Sequence, residues 1–157
     1  MNTDSTPFTA RLVLADLEAT ARLGAVVAAG LGRGDAVALK GDLGAGKTAL
    51  ARVILQALGV TGPIASPTFT LVQSYETARL AIRHYDLYRI EDPREMEELG
   101  LDEALAEGAA LIEWPEHGGA ALPEDMLEIF LTITGAQSRL AVLTGPARWA
   151  ALLSLPA

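Results

Sequence analysis

The stretch Gly41-Asp42-Leu43-Gly44-Ala45-Gly46-Lys47-Thr48 fits the phosphate-loop pattern G-x-x-x-x-G-K-[ST]. An apolar run at 36–39 precedes this loop, and a run rich in helix-favouring residues at 49–55 follows it. A strand, a loop and a helix in that order are the context in which the pattern binds phosphate. The stretch therefore predicts a nucleotide-binding βα unit, around which the rest of an α/β chain can be ordered.

The chemistry of the loop depends on its glycines, because Gly41, Gly44 and Gly46 allow backbone angles that a Cβ would forbid. Successive amide N–H groups are then able to turn inward around a phosphate chain. Lys47 is expected to reach the β- and γ-phosphates, the Thr48 hydroxyl to bind Mg²⁺, and the following helix to point its positive end at the phosphates. The alternative is a glycine-rich turn that only happens to precede a helix. The residues assigned to the nucleotide are Gly41, Asp42, Leu43, Gly44, Ala45, Gly46, Lys47, Thr48 and Ala49.

The composition favours one domain over residues 1–157, since 50% of the residues are apolar, which is ample for a core of that size. A formal net charge of −8 argues against a broad basic face, so contact with RNA is expected only through a partner. Cysteine is absent, and with His84 and His117 as the only histidines a zinc site is not expected. Both histidines are expected to be structural rather than catalytic. Met1–Phe8 does not resemble a signal peptide, and no nearby apolar run is long enough to span a bilayer. We expect a flexible N-terminus of about eight residues and a cytoplasmic protein that does not contact membranes.

Periodicity and turn residues divide the rest of the chain into strands and helices. Strands are predicted at 11–14, up to Lys40, and at 70–75, 80–85, 109–112, 127–134 and 140–143. Helices are predicted from the N-cap Asp16 to Gly30 and Gly32, from the phosphate loop to about Leu58, from the capping box at 92–95 to Gly100, and at 146–153. The segment 114–119 is predicted to be a loop because it contains proline and glycines. The resulting fold class is a phosphate-loop nucleoside triphosphatase (NTPase) fold, with a mixed, largely parallel central sheet flanked by helices.

Two acidic residues at strand ends are candidates for metal and water chemistry. Bound Mg²⁺ needs an acid beside the loop hydroxyl. Glu113 follows a continuous apolar run, which predicts a strand covered on both faces beside the phosphate-loop strand. Asp86 follows an alternating run, which predicts an antiparallel strand with one solvent-exposed face. Glu113 is therefore assigned to the metal, directly or through water, and Asp86 to the attacking water, although each is also compatible with an ordinary surface carboxylate.

A cluster of hydroxyl side chains lies in the segment Ser66-Pro67-Thr68-Phe69-Thr70, which the proline and the preceding residues predict to be a loop. Hydroxyls placed after the first βα unit are able to sense the γ-phosphate or Mg²⁺, as the switch segments of nucleotide hydrolases do. Ser66, Thr68 and Thr70 are the candidate switch residues. The alternative is a capped turn that leads into a strand.

The preference for guanine or adenine nucleotides can be tested by looking for the motif that recognises guanine. The chain's only asparagine is Asn2, so the Asn-Lys-x-Asp guanine reader of small GTPases does not exist here. ATP, with ADP as its product, is therefore the expected nucleotide. Two other functions remain open: a small-molecule kinase, although the arginines form no cluster of the kind found in a mobile lid, and a non-catalytic binding module gated by nucleotide.

Four segments together resemble the bacterial TsaE (YjeE) family: the phosphate loop, 66–72 (Ser-Pro-Thr-Phe-Thr-Leu-Val), 84–89 (His-Tyr-Asp-Leu-Tyr-Arg) and 112–116 (Ile-Glu-Trp-Pro-Glu). Their order and spacing extend over roughly residues 14–145. The resemblance implies a cytoplasmic, magnesium-dependent ATPase that is required to make threonylcarbamoyladenosine at position 37 of tRNA. It also implies action on the complex of the proteins TsaD and TsaB, with tRNA reached only through that complex.

The resemblance also implies roles for single residues. Lys47 and the loop glycines would hold phosphates, Thr48 and Glu113 would hold Mg²⁺, and Asp86 would be needed for hydrolysis. Arg139 falls where the family has an arginine that contacts the nucleotide, and Leu17 lies near where the N-terminal segment meets the nucleotide. Tyr85 stands where phenylalanine is common in the family.

Overall fold

A mixed sheet of seven strands forms the centre of the protein, in a computed structural model that describes residues 8–153. The strands are β1 (Phe8–Leu14), β2 (Ala36–Lys40), β3 (Val72–Glu76), β4 (Ala81–Asp86), β5 (Gly108–Glu113), β6 (Leu127–Ile133) and β7 (Arg139–Gly145). The helices are α1 (Leu17–Gly30), α2 (Lys47–Ala57), α3 (Leu101–Glu107) and α4 (Arg148–Leu153), with short 3-10 helices at Pro93–Leu99, Pro115–His117 and Gly119–Ala121. The predicted fold class is confirmed as a single α/β domain with helices flanking the sheet.

The sheet has the strand order β1-β7-β6-β2-β5-β4-β3, which places the phosphate-loop strand β2 in the middle. β2 pairs in parallel with β5 and β6, and β5 pairs in parallel with β4, whereas the outer pairs are antiparallel. Every residue of β5 is buried, as the continuous apolar run at 109–112 predicts for a strand covered on both faces. The prediction that this strand lies beside the phosphate-loop strand is confirmed.

Helices α1 and α2 pack together against the sheet. The predicted N-cap of α1 is confirmed, since the Asp16 carboxylate accepts a hydrogen bond from the Ala19 amide at 2.9 Å. The two helices approach closely at Gly24, where an added Cβ would lie 2.4 Å from Cγ2 of Val53. Leu50 and Ile54 on α2 are fully buried, so the helix that starts at the phosphate loop is fixed to the core along its length.

The segment after β4 differs from the predicted single helix. The capping box at Asp92 and Glu95 is present, but it begins a 3-10 helix that ends at Gly100, and a further helix, α3, follows that the sequence analysis did not predict. The segment 114–119, predicted to be a loop, contains one 3-10 turn and the start of another. Proline at the first position of the 3-10 turn 115–117 favours such a turn, because its fixed φ suits helical geometry and it has no N–H to leave unpaired.

The prediction that one face of β4 is exposed to solvent is wrong. Tyr85 is fully buried and its hydroxyl donates to the Leu99 carbonyl at 3.0 Å. Arg83 on the same face is partly covered and donates to the Gly100 carbonyl and the Glu103 carboxylate. Arg83 makes this face look polar in the sequence. The face is nevertheless covered, because the 3-10 helix and α3 pack over it and supply the partners of Arg83.

The remaining predicted elements are confirmed with small shifts in their bounds. Strands β3 and β4 form an antiparallel hairpin, as do β6 and β7, and α4 is the predicted terminal helix. The predicted flexible N-terminus lies almost entirely outside the described residues. Within residues 8–153, no helix combines the length and the apolar character needed to cross a lipid bilayer.

Candidate functional site

The phosphate loop joins the end of β2 to the start of α2 through three glycines with positive φ angles, at 143° for Gly41, 82° for Gly44 and 107° for Gly46. These angles favour glycine, because a side chain would meet its own backbone there. At Gly41 an added Cβ would also lie 2.6 Å from the Leu131 carbonyl oxygen, so this position admits no other residue without displacing β6. The loop therefore has the backbone geometry that the sequence predicts.

Lys47 lies inside the loop and is 5% exposed. Its ammonium group donates to the carbonyl oxygens of Gly41 and Asp42, the latter at 2.9 Å, and stands 4.1 Å from the centre of the Trp114 ring. Burial lowers the pKa of the Lys47 ammonium, and the negative charge of Glu113 is the largest influence that opposes this shift. A cation held among carbonyl oxygens and an aromatic face is suited to bind an anionic phosphate in their place.

The two candidate carboxylates lie side by side at the ends of parallel strands. Asp86 and Glu113 are paired in register between β4 and β5, and Glu113 is also paired with Leu39 of β2. Asp86 is 5% exposed and Glu113 is 2% exposed, so neither is an ordinary surface carboxylate. Carboxylates buried to this degree need hydrogen-bond partners, because the loss of hydration disfavours their charged form.

Glu113 finds such a partner in the phosphate loop itself. The Thr48 hydroxyl donates to its two carboxylate oxygens, at 2.9 Å to Oε1 and 3.1 Å to Oε2. Among residues 8–153, no three His, Cys, Asp or Glu side chains are grouped so as to hold a metal alone. One hydroxyl and one carboxylate nevertheless fit Mg²⁺, which prefers oxygen ligands and usually completes its shell with water and substrate phosphates.

The switch-like segment is joined to Asp86 by a chain of hydroxyl groups. Ser66 Oγ and Thr68 Oγ1 lie 2.7 Å apart, and Thr68 donates to Asp86 Oδ2 at 3.2 Å. The other oxygen of Asp86 accepts from the Tyr88 amide at 3.0 Å. Thr70 points elsewhere, since its hydroxyl accepts from the Gln73 amide group on an exposed surface. The structure thus brings Ser66 and Thr68, but not Thr70, toward the carboxylates.

Both ends of this segment are fixed to the core. Arg52 on α2 donates to the Ile64 carbonyl at 3.1 Å, and the Asp86 amide donates to the Leu71 carbonyl at 3.0 Å. Between these points Phe69 is 84% exposed, with the Arg89 guanidinium 5.5 Å from its ring centre. A large apolar side chain therefore stands in solvent next to the Thr68 hydroxyl.

These groups line one cavity of about 330 Å³. It lies in front of the phosphate loop at the carboxyl ends of the parallel strands, where α/β sheets bind their ligands. Its lining comprises Leu43, Gly44, Gly46, Lys47, Thr48, Ala49, Thr68, Asp86, Tyr88, Glu113 and Trp114. A loop for phosphates, an oxygen pair for a divalent cation and a second carboxylate therefore face the same space.

Arg139 and Leu17 border a second cleft, of about 160 Å³, on the other side of the loop. The Arg139 guanidinium donates to the Ala45 carbonyl at 2.8 Å and reaches the Gly44 carbonyl at 3.4 Å. Two further bonds to Gly135 and Ser138 hold it to the turn before β7. Arg139 therefore braces the phosphate loop, while Leu17, 66% exposed, stands at the rim of the cleft.

Three residues of the site have contacts that the sequence analysis did not predict. Trp114 has a φ of 56° and lies over Lys47, and Tyr88 packs against it with ring centres 4.9 Å apart. His84 is fully buried and lies against Glu113. In the sequence Trp114 directly follows Glu113 and Tyr88 lies two residues after Asp86, and this proximity was the signal for these two side chains. His117, in contrast, has the expected structural contact, between its Nδ1 and the Leu87 carbonyl.

Known proteins share this architecture. A family model described as "Threonylcarbamoyl adenosine biosynthesis protein TsaE" matches residues 14–141. A relative from Rickettsia felis named tRNA threonylcarbamoyladenosine biosynthesis protein TsaE is 42% identical over 130 residues, which cover 82% of this chain and 76% of the relative. A Bacillus subtilis relative of the same name is 39% identical over 123 residues, 78% of this chain and 77% of the relative. The crystal structure of Bacillus subtilis YdiB superposes with a TM-score of 0.78 at 29% identity, covering 96% of this chain and 95% of YdiB.

Proposed function

This chain belongs to the TsaE family of threonylcarbamoyl adenosine biosynthesis proteins, and on that basis we propose that it is a magnesium-dependent ATPase in the modification of tRNA. The observation that carries the proposal is the pairing of two buried carboxylates, Asp86 and Glu113, at adjacent strand ends beside the phosphate loop. Buried acids in a cavity with a buried lysine are typical of catalytic sites rather than of solvated surfaces.

The phosphate loop supplies binding and orientation. Amide groups of 41–46 surround the phosphates, and the Lys47 ammonium exchanges its carbonyl partners for β- and γ-phosphate oxygens. Thr48 and Glu113 would hold Mg²⁺, which would supply positive charge to neutralise the phosphates. Most of the catalytic effect in phosphoryl transfer comes from such positioning and charge stabilisation.

In this proposal Asp86 orients the attacking water and accepts a proton from it. One of its oxygens is engaged by the Tyr88 amide, and the other accepts from Thr68 of the switch-like segment. A water molecule that replaces the Thr68 hydroxyl would find an acceptor fixed in position. Thr68 and Ser66 thereby relate the state of the γ-phosphate to the conformation of the segment.

Turnover by the protein alone is expected to be slow, because among residues 8–153 Lys47 lines the cavity and no arginine does. Arg89, the nearest candidate in the motif, is exposed and lies against Phe69. A missing arginine costs phosphoryl transfer about 10³- to 10⁵-fold in rate. We propose that TsaD and TsaB complete or regulate the site, with tRNA reached only through them, and that the protein works in the cytoplasm.

Two substitutions test the division of labour between the carboxylates. Asp86→Ala and Glu113→Ala are expected to keep measurable ATP affinity and to lose hydrolysis, because both leave the loop and Lys47 in place. Glu107→Ala, which removes an exposed carboxylate at the end of α3, is the matched control and should hydrolyse like the unaltered protein. Phosphate release and nucleotide affinity are measured on the same samples. Normal hydrolysis by Asp86→Ala would exclude its proposed role.

Product analysis and reconstitution test the rest of the proposal. A hydrolase releases inorganic phosphate, whereas a small-molecule kinase leaves the phosphate on an acceptor. Addition of a saturating TsaD–TsaB complex is expected to change the ATPase rate or the nucleotide affinity, and no change in either would count against the coupling. Reconstituted tRNA modification over one turnover and over many turnovers, with Asp86→Ala as comparison, separates a need for hydrolysis from a need for nucleotide binding alone.

A further inference from the structure

His84 is a buried polar side chain beside the site for which the proposed hydrolysis gives no role. It lies in β4, in register with Gln73 of β3 on one side and Leu111 of β5 on the other, and none of its surface is exposed. Its Nε2 atom lies 2.6 Å from Oε2 of Glu113. Its Nδ1 atom has no hydrogen-bond partner among the described residues. The single polar contact of this ring is therefore with the carboxylate assigned to the metal.

The direction of that hydrogen bond follows from its partners. A carboxylate accepts hydrogen bonds, so Nε2 of His84 carries the proton and donates it to Glu113. A proton on Nδ1 instead would bury a donor with no acceptor, at a cost comparable to a lost hydrogen bond. The fold thus selects one tautomer of His84 and directs its N–H at one oxygen of Glu113.

The hydrogen bond to His84 makes the two carboxylate oxygens of Glu113 different, because it engages Oε2 and leaves Oε1 free of His84. Oε2 has hydrogen bonds with both His84 and Thr48, whereas Oε1 has a hydrogen bond with Thr48 alone, at 2.9 Å. Thr48 also lines the nucleotide cavity, so Oε1 is the oxygen that remains for a cation next to the hydroxyl. Rotation of the carboxylate away from this arrangement would break the bond to His84.

We propose that His84 is a positioning residue for the divalent cation, which fixes the carboxylate of Glu113 so that one oxygen is presented beside Thr48. This inference rests on the proposed function, because it assigns a cation to the same oxygen pair. Hydrogen-bond donors behind metal ligands orient those ligands and raise their affinity, and their removal weakens metal binding by about 10- to 100-fold. A role in stability alone would leave the cation requirement unchanged.

The experiment compares three substitutions of His84 with a control on the same strand. His84→Gln places an amide N–H near the position of Nε2, His84→Asn keeps an amide that is too short to reach Glu113, and His84→Leu removes the donor. Tyr85→Phe removes one buried hydrogen bond from the opposite face of β4, to the Leu99 carbonyl, and does not contact Glu113. It reports what the loss of a buried bond in this strand does by itself.

The affinity of each protein for a non-hydrolysable ATP analogue is measured at increasing Mg²⁺ concentrations. It is measured again without Mg²⁺, in the presence of a chelator. His84→Leu and His84→Asn are expected to raise the Mg²⁺ concentration for half-maximal effect by about 10- to 100-fold and to leave the Mg²⁺-free affinity unchanged. His84→Gln and Tyr85→Phe are expected to stay close to the unaltered protein.

Each outcome supports or overturns a specific claim. An unchanged Mg²⁺ requirement in His84→Leu overturns the role of His84 and leaves the proposed function standing. If His84→Leu does not fold, the comparison of His84→Gln with His84→Asn decides, and equal Mg²⁺ requirements overturn the role. Failure of the unaltered protein to bind the analogue, or to respond to Mg²⁺, overturns the proposed function itself.

Discussion

Arg139 provides the sharpest test of how the phosphate loop is held, because its guanidinium bonds directly to the loop backbone. The perturbation is Arg139→Ala, which removes the bond to the Ala45 carbonyl at 2.8 Å and the contact with Gly44 at 3.4 Å. The longer contact is near the outer limit of a hydrogen bond and counts for little. Arg139→Ala also removes the bonds to Gly135 and Ser138 in the turn before β7, but these do not involve the loop. The expected loss at the loop therefore comes from one bond between a charged donor and a carbonyl.

The magnitude of the effect follows from that single bond. Hydrogen bonds to charged groups contribute about 1.5–3 kcal/mol, and the partial exposure of Arg139 places this one near the lower end. A loss of about 1.4 kcal/mol changes an equilibrium about tenfold. Nucleotide affinity is therefore expected to fall by about tenfold, since the free loop then samples conformations that cannot surround phosphate.

Hydrogen exchange separates a brace from a direct contact with nucleotide. A brace acts in the nucleotide-free protein, so the amide of Ala45, which donates to the Asp42 carbonyl at 3.0 Å, is expected to exchange faster in Arg139→Ala. A residue that only contacts nucleotide would change exchange in the complex alone. Arg79→Ala is the matched control, because Arg79 also bonds carbonyl oxygens, those of Leu31 and Ala28, far from the loop. Unchanged loop exchange in nucleotide-free Arg139→Ala would refute the reasoning.

Two further substitutions have sharp expected outcomes. Lys47→Ala should abolish measurable binding of nucleotide, because residues 41–48 contain one lysine and the substitution removes it. Lys40→Ala, at the end of β2, should bind nucleotide normally, and titration calorimetry of both proteins checks this. Gly108→Ala should destabilise the fold by about 3 kcal/mol or more, since its Cβ would lie 1.9 Å from the Ala81 carbonyl oxygen where β4 meets β5. Gly32→Ala, whose Cβ has no atom within 3.4 Å, should be close to neutral, and equal midpoints of urea unfolding for the two variants would contradict this account.

The sequence was most informative where structure is determined locally. The glycine spacing of 41–46, the Asp16 cap and the capping box at 92–95 each depend on contacts within a few residues, and each appears as predicted. The position of Glu113 also followed from a local property, because a continuous apolar run of this length indicates a strand covered on both faces. These features needed no knowledge of distant neighbours.

Features that depend on distant partners were predicted poorly. The sequence of β4 does not show that its second face is covered, because the partners of Arg83 and Tyr85 lie in α3 and in the 3-10 helix. α3 itself, at Leu101–Glu107, is a short helix that starts directly after Gly100 without a side-chain cap, so it carries no start signal. The contact between His84 and Glu113 joins two strands, and it follows from their register rather than from either sequence alone.

The anchoring of the segment between α2 and β3 connects the cavity to the outer surface of the protein. The carbonyl groups of Ile64 and Leu71 are held by hydrogen bonds, and Thr68 and Phe69 are consecutive residues between them, so a displacement of Thr68 would carry Phe69 with it. Loss or gain of one phosphate group inside the cavity would therefore change the position of the exposed Phe69 ring on the outer surface. If the proposed function holds, a partner in contact with Phe69 would be able to distinguish the two ligand states without reaching the nucleotide itself.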